Sequence, residues 1–393
     1  VSVSPETATG GRLIAFTTPI SANFGSIGSN TIYPPRSKPS STSACHTSSP
    51  TASRSGDDFH AEEFRLSFAL NTESLNTLLI IKPGSFGDVI HALPCAAAVR
   101  KLRPNTRITW LVDERWQPLL ADNPVVDQTV VFPREKFRGP TGLLRAIPWA
   151  LKLGEIRPDV ALDLQGLLRS ALMAKFSDAR QLIGLADARE GARWFYDKVS
   201  PVIPGEHSVL RCLHSVETLG LSTAGPPEFP LPPGSPPAGA PTDRPFILCH
   251  PFARGGGKSL SKKHVTELCR ALQPVTVVLA GTGTKHNDWP SNTVNLLNRT
   301  SIQEMIWLTR AAKFVISVDS GPMHIAAAVN PNLLSIHTWS DPRLVGPFSE
   351  EAWIWQGGEI RPQKLFREKI PAACSPADPD ILSIAEWVQE RLG

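Results

Sequence analysis

Three short stretches carry side chains whose types and spacing suit chemistry on a charged substrate, and each follows an apolar run. In "KPGSFGDVIHALP" (82–94) two glycines lead to Asp88 at the start of a helical pattern. An Asp there either caps the helix or, facing a substrate hydroxyl, takes its proton. In "SVDSGPMHIAAA" (317–328) Asp319 leaves a strand, Ser320 and Gly321 open a helix, and His324 lies one turn on, on the same face as Ser320. A helix start offers N–H groups and a positive dipole end, and Ser320 adds a hydroxyl donor. Together they suit a diphosphate; the alternative is a capped helix with a buried histidine. In "HPFARGGGKSLSKKH" (250–264) a glycine-rich loop carries Arg254 and Lys258. A lysine there can neutralise a phosphate leaving group, or it is simply solvated.

Two more loops add polar groups. "LDLQGLLRSA" (162–171) sets Gln165 and Gly166 at a strand end, with Arg169 beyond, and "ADAREGARWFYDK" (186–198) is basic and aromatic. Gly84, Ser85, Phe86 and Gly87 form a G-x-x-G turn that lets backbone approach a ligand. It is not the full dinucleotide fingerprint, and no acid follows where a nicotinamide enzyme reads ribose. Asp113 and Glu114 after the second strand keep a Rossmann oxidoreductase open as a rival.

These loops need a scaffold, and the chain supplies an alternating one from Leu75 onward. Apolar runs at 77–82, 107–112, 127–133, 159–164 and 181–185 read as strands, and 88–102, 143–153, 167–176 and 207–220 as helices. Pro94 is expected to kink the first helix or mark a first-turn break. The proline-dense stretch 222–245 interrupts the alternation as an extended linker. Strands at 246–250, 275–281, 293–297, 313–319 and 332–337 follow, with helices at 262–272, 301–312, 321–329 and 378–392. Strand–helix alternation implies parallel pairing, so the expected class is α/β: two Rossmann-like doubly wound parallel-sheet domains, with ligands in the cleft at the strand C-terminal ends. The boundaries expected are 1–76, an extension; 77–221, the first domain; 222–245, the linker; 246–377, the second domain; and 378–393, a closing helix.

The extension is rich in Ser, Thr and Pro and reads as disordered, in the manner of an organelle transit peptide or a non-native upstream extension. A net charge of +4 over 393 residues is too small to point to nucleic acid. The six cysteines form no CxxC pair or metal-ligand spacing and read as buried thiols of a reducing compartment, with no structural zinc. No run approaches the length of a membrane-spanning helix.

Taken in order, "KPGSFGDVIHALP", "LDLQGLLRSA", "AREGARWFY", "KFVISVDSGPMHIAAA" and "HTWSDPRLVGPF" resemble the lipopolysaccharide heptosyltransferases, glycosyltransferase family 9, from about Leu78 to the C-terminus. The segment "DLQGLLRSA" followed by "ARE" is closer to the heptosyltransferase I branch. The resemblance implies a GT-B fold and inverting transfer of heptose from ADP-heptose to an inner-core Kdo or heptose acceptor of lipopolysaccharide, in the cytoplasm. Neither metal nor cofactor is implied. The family's general base falls on Asp88, and its donor-nucleotide site on Lys258, Asp319, Ser320, Gly321 and His324. The acceptor side is expected at Gly84, Ser85, Phe86, Gly87, Gln165, Arg169, Arg189 and Arg193, with Lys198 as a further basic residue.

The sequence departs from the family pattern in three places. "KSLS" replaces a Trp-Pro after the donor-site lysine. The ribose-binding segment reads "AGTGTKHNDWP", with Lys285 near the expected carboxylate and Asp288 its only acid. "HTWS" replaces "YGPT". Two alternatives to heptose transfer follow: a different nucleotide-sugar donor, or a nucleotide-sugar-binding module without turnover. The stretch 134–153 mixes basic and apolar residues, and it either packs as an ordinary amphipathic helix or lies on the anionic inner membrane.

Overall fold

The computed structural model describes residues 75–139, 141–283, 288–338, 340–366 and 379–392. The expected extension lies outside these residues up to position 74, as do Cys45, Cys374, Lys285 and Trp339.

In the N-terminal half, strands β1 (Thr77–Ile81), β2 (Arg107–Asp113), β3 (Gln128–Phe132), β4 (Val160–Asp163), β5 (Gln181–Leu185) and β6 (Lys198–Ser200) alternate with helices α1 (Phe86–Leu102), α2 (Gly142–Leu153) and α3 (Leu168–Phe176), and α4 (Ser208–Thr218) follows. The strands form one parallel sheet in the order β3-β2-β1-β4-β5-β6. The C-terminal half repeats the pattern with β7 (Phe246–His250), β8 (Thr276–Gly281), β9 (Thr293–Leu297), β10 (Phe314–Val318), β11 (Leu333–His337), β12 (Trp353–Gln356) and β13 (Glu359–Pro362). Its helices are α5 (Lys262–Ala271), α6 (Ile302–Ala311), α7 (Gly321–Val329), α8 (Pro342–Val345) and α9 (Ile381–Leu392). This sheet runs β13-β12-β11-β10-β7-β8-β9, parallel except for the antiparallel edge strand β13.

Both sheets reverse their strand order between the first and fourth strands of the half, β1 beside β4 and β7 beside β10. Doubly wound sheets bind ligands at that reversal, outside the strand C-terminal ends. Of the five loops singled out from sequence, four leave β1, β4, β7 and β10 and so gather at the two reversals, while the fifth leaves β5.

The strands called from apolar runs form because central parallel strands are covered on both faces. All residues of β4, β7, β10 and β11 are buried. Sequence reading missed β6, β12 and β13: all are short, β6 and β13 are sheet edges, and β12, paired between β11 and β13, is buried only at its two central residues, so each carries a weaker apolar signal. Helix α1 starts at Phe86 rather than at Asp88, and it runs through Pro94 without a break. It is buried nearly all round, between α4 and α7. The same core cluster takes in Leu78, Ile90 and Leu93 from the first half and Leu248, Met305 and Met323 from the second, so one apolar core spans both sheets.

The proline-rich stretch has neither helix nor strand between residues 219 and 245. With few backbone donors to pair, its carbonyls take side-chain donors instead. Asn123 Nδ2 donates to Pro230 O at 2.6 Å, and Arg310 donates to Leu231 O at 2.9 Å, while Leu231 itself is buried.

Candidate active site

The N-termini of α1 and α7 meet, one from each sheet. Ser85 is the N-cap of α1, and Asp88 occupies the third helical position. Its carboxylate accepts the Ser85 N–H at 2.7 Å, closing a capping box. Burial pushes the Asp88 carboxyl up, but Lys82, the Ser85 donors and His324 together hold it below the ordinary carboxylate range. Lys82 is buried at the end of β1 and donates to Leu164 O at 2.6 Å, so its charge is fixed behind the Asp88 turn.

Across from it, Lys258 Nζ donates to Asp319 Oδ2 at 2.6 Å, and the aspartate is almost wholly buried. Burial raises the Asp319 carboxyl, and His337, Lys258 and Ser340 bring it below its usual value. The loop carrying Lys258 is closed by its own bonds: Ser259 Oγ accepts from Ala253 N–H and donates to Ala253 O, and Leu260 N–H donates to Pro251 O. Ser320 is the N-cap residue of α7, yet its hydroxyl bonds to Val318 O and His250 Nδ1, both at 3.1 Å, rather than to the helix's own N–H groups. Burial holds His250, His324 and His337 neutral, each pushed down to about 4.

The two helix starts interlock through glycine. A Cβ on Gly87 would come within 2.6 Å of the His324 ring, and one on Gly321 would run into the Phe86 ring. Only a missing Cβ on each side lets the helices approach this closely. His324 Nδ1 and His91 Nε2, one on each helix, are hydrogen-bonded at 3.1 Å. On the outer side, the Arg254 guanidinium lies 5.8 Å from the centre of the Trp116 ring, and Trp116 packs edge-on against Phe86.

The loops after β4 and β5 are organised by Asp163, which is fully buried. It accepts from Tyr196 Oη at 2.7 Å, Ser170 Oγ at 2.9 Å, Gln165 N–H at 3.0 Å and Gly166 N–H at 3.1 Å. Burial nevertheless raises its carboxyl above the usual value. Arg189 N–H donates to Gly166 O at 2.8 Å, which ties the two loops together. Gln165 Oε1 is buried and has no hydrogen-bond partner.

The glycosyltransferase family 9 (heptosyltransferase) model matches residues 149–374, more than half of the chain. The chain belongs to glycosyltransferase family 9. Lipopolysaccharide heptosyltransferase 1 of Pseudomonas aeruginosa is 32% identical over 141 residues, which is 34% of this chain and 40% of that protein. The Escherichia coli K12 protein of the same name is 24% identical over 298 residues, covering 70% of this chain and 92% of its own length. The structure of the E. coli heptosyltransferase WaaC with ADP-2-deoxy-2-fluoro heptose superposes with a TM-score of 0.63 at 19% identity, over 80% of this chain and 99% of that one. The fold is therefore GT-B, and the protein is a glycosyltransferase.

Within this family 9 enzyme, the structure brings Asp88, Lys258, Asp319, Ser320, Gly321 and His324 to one place, where α1 meets α7. Phe86 and Gly87 pack on α7, and Ser85 caps α1. Arg169, Arg189 and Arg193 are exposed, Arg169 in the first turn of α3 and the other two on the loop after β5; Arg169 lies over the Phe132 ring. Asp288 is exposed, and residues 284–287 of the ribose-binding segment lie outside the described residues. Sequence reading missed Lys82, His91, Asp163, Tyr196 and His250. A lysine closing an apolar strand and a histidine one turn beyond Asp88 were signals available for two of them.

Proposed function

We propose that the enzyme transfers heptose from ADP-heptose to an inner-core Kdo or heptose hydroxyl of lipopolysaccharide, with inversion at the anomeric carbon. The observation that carries this reading is the junction of α1 and α7. It sets an ionised Asp88 on one half of the molecule opposite Lys258 and a helix N-terminus on the other. Asp88 takes the proton of the acceptor hydroxyl as its oxygen attacks C1 of the sugar. The C1–O bond to the diphosphate breaks, and its electron pair leaves with ADP. Lys258 and the α7 dipole offset the charge that grows on the departing diphosphate. In this reading the charge is met by protein groups, so no metal is required, and EDTA is expected to leave the rate unchanged.

The basic residues Arg169, Arg189 and Arg193 are assigned to the anionic acceptor. The relatives' names, and the ADP-sugar in the WaaC structure, support this choice of donor and acceptor class. We also propose that the enzyme works in the cytoplasm against the anionic face of the inner membrane. Helix α2 supports this: Leu144, Ile147 and Leu151 are exposed along it, beside Arg145 and Lys152.

The deciding experiment is transfer from ADP-heptose to a Kdo₂–lipid A acceptor, wild type beside Asp88→Ala, with ADP binding measured in both. Loss of a general base lowers kcat by about 10²–10⁴-fold, so the variant should bind ADP yet turn over at least two orders of magnitude more slowly. A wild type that binds ADP and transfers no heptose would overturn the sugar assignment and leave the fold intact.

A further inference from the structure

His91 and His324 come from helices on opposite halves, and both rings are buried, with 4% and 7% of their surface exposed. Their hydrogen bond, Nε2 to Nδ1 at 3.1 Å, admits two tautomeric arrangements because each neutral ring has one N–H and one bare nitrogen. The other nitrogen of His91, Nδ1, is buried without any partner. If His324 donated across the bond, His91 would have to carry its proton on Nδ1, leaving an orphaned N–H in the core. If His91 donates, the orphan is only a bare lone pair. Buried N–H groups without an acceptor are the rarer and costlier case.

The second arrangement therefore holds, and it has a consequence for the cleft. His324, having accepted at Nδ1, carries its proton on Nε2. That edge of the ring lies against Gly87, the residue before Asp88, and no hydrogen bond among the described residues occupies Nε2.

We propose that His91 is a positioning residue that fixes the tautomer of His324, so that a neutral Nε2–H donor faces the α1 turn bearing Asp88, where the donor diphosphate and acceptor meet. Burial of both rings, which keeps them neutral, agrees with this. The tautomer follows from the hydrogen bond and the orphaned nitrogen alone; its value to turnover rests on the transfer reaction proposed above.

The test separates the two. Histidine-labelled protein, with the His324 signals assigned by their loss in His324→Gln, reports the tautomer by one-bond and long-range ¹H–¹⁵N correlation at neutral pH, without any substrate. Nε2–H is expected in wild type; Nδ1–H there overturns the proposal, whatever the donor sugar proves to be. His91→Phe keeps a ring but loses the donor, whereas His91→Gln restores an N–H close to the position of Nε2. With ADP-heptose, His91→Phe should lose about tenfold or more in kcat, the worth of one hydrogen bond to a charged group, at little change in KM. His91→Gln should recover to within about threefold of wild type. A folded His91→Phe with wild-type kcat, or a folded His91→Gln as slow as His91→Phe, overturns the positioning role. If His91→Phe does not fold, His91→Gln and the tautomer decide.

Discussion

Asp88 closes a capping box through the Ser85 N–H and is also an ionised carboxylate at the start of α1, where that helix meets α7. The two roles are compatible, because the cap fixes the side chain that has to meet the acceptor hydroxyl. The local charges set its pH behaviour. Lys82, Ser85 and His324 outweigh burial, so Asp88 protonates only below the ordinary carboxylate value of 3.8. His250, His324 and His337 take up protons only near 4. None of these groups changes charge between pH 7 and pH 5, so kcat/KM per folded molecule is expected to be flat over that span. Stability should behave differently. The unfolded histidines bind protons near 6.5 that the folded ones refuse until about 4. The unfolded state therefore gains protons first, and stability falls as pH drops from 6.5 toward 4. Asp88 and Asp319 add a further loss below that, as pH falls through their depressed folded values. Thermal melts and initial rates over one pH series test both statements; a step in kcat/KM near 6.5 would contradict the first.

Among the elements, α1 and α7 decide the site, and they approach through glycine. In an exposed helix Gly→Ala stabilises by about 1 kcal/mol, so the sign of the change at Gly87 is diagnostic. Here the added methyl meets the His324 ring at 2.6 Å with no room to yield. Gly87→Ala should destabilise by roughly 1–3 kcal/mol, as overpacking does, and lower kcat by displacing His324. Urea denaturation beside steady-state rates measures both. A more stable Gly87→Ala would mean that the helices part readily.

For the whole molecule, helix α2 stands apart. Most helices bury one face, but α2 leaves Leu144, Ile147 and Leu151 exposed, and the loop after β5 carries Trp194 at 90% exposure. Basic residues beside this apolar face would favour anionic lipid. Flotation with liposomes containing phosphatidylglycerol should carry the enzyme upward, and with phosphatidylcholine alone it should not. Leu144→Ser with Leu151→Ser should abolish the difference while leaving transfer to a water-soluble acceptor intact. Equal flotation on both lipids would remove charge from the account.

The sequence by itself determined most of the scaffold. Short, mostly apolar runs mark β1, β4, β7 and β10, since burial on both faces leaves a purely local signature. The short strands β6, β12 and β13, at or next to the sheet edges, leave no such trace. The motifs around Asp88 and Asp319 were legible because a turn and a helix start are built from neighbours in the chain. What these motifs do together was decided only by tertiary structure. Lys258 reaches Asp319 across 61 positions, Lys82 reaches Leu164 across 82, and His91 reaches His324 across 233. Local reading left Lys258 between a solvated loop and a ligand, Asp88 between a cap and a base, and His91 without a role. A hydrogen bond depends on distance in space, and two sheets reversing their strand order at facing edges supply a proximity that no local pattern encodes.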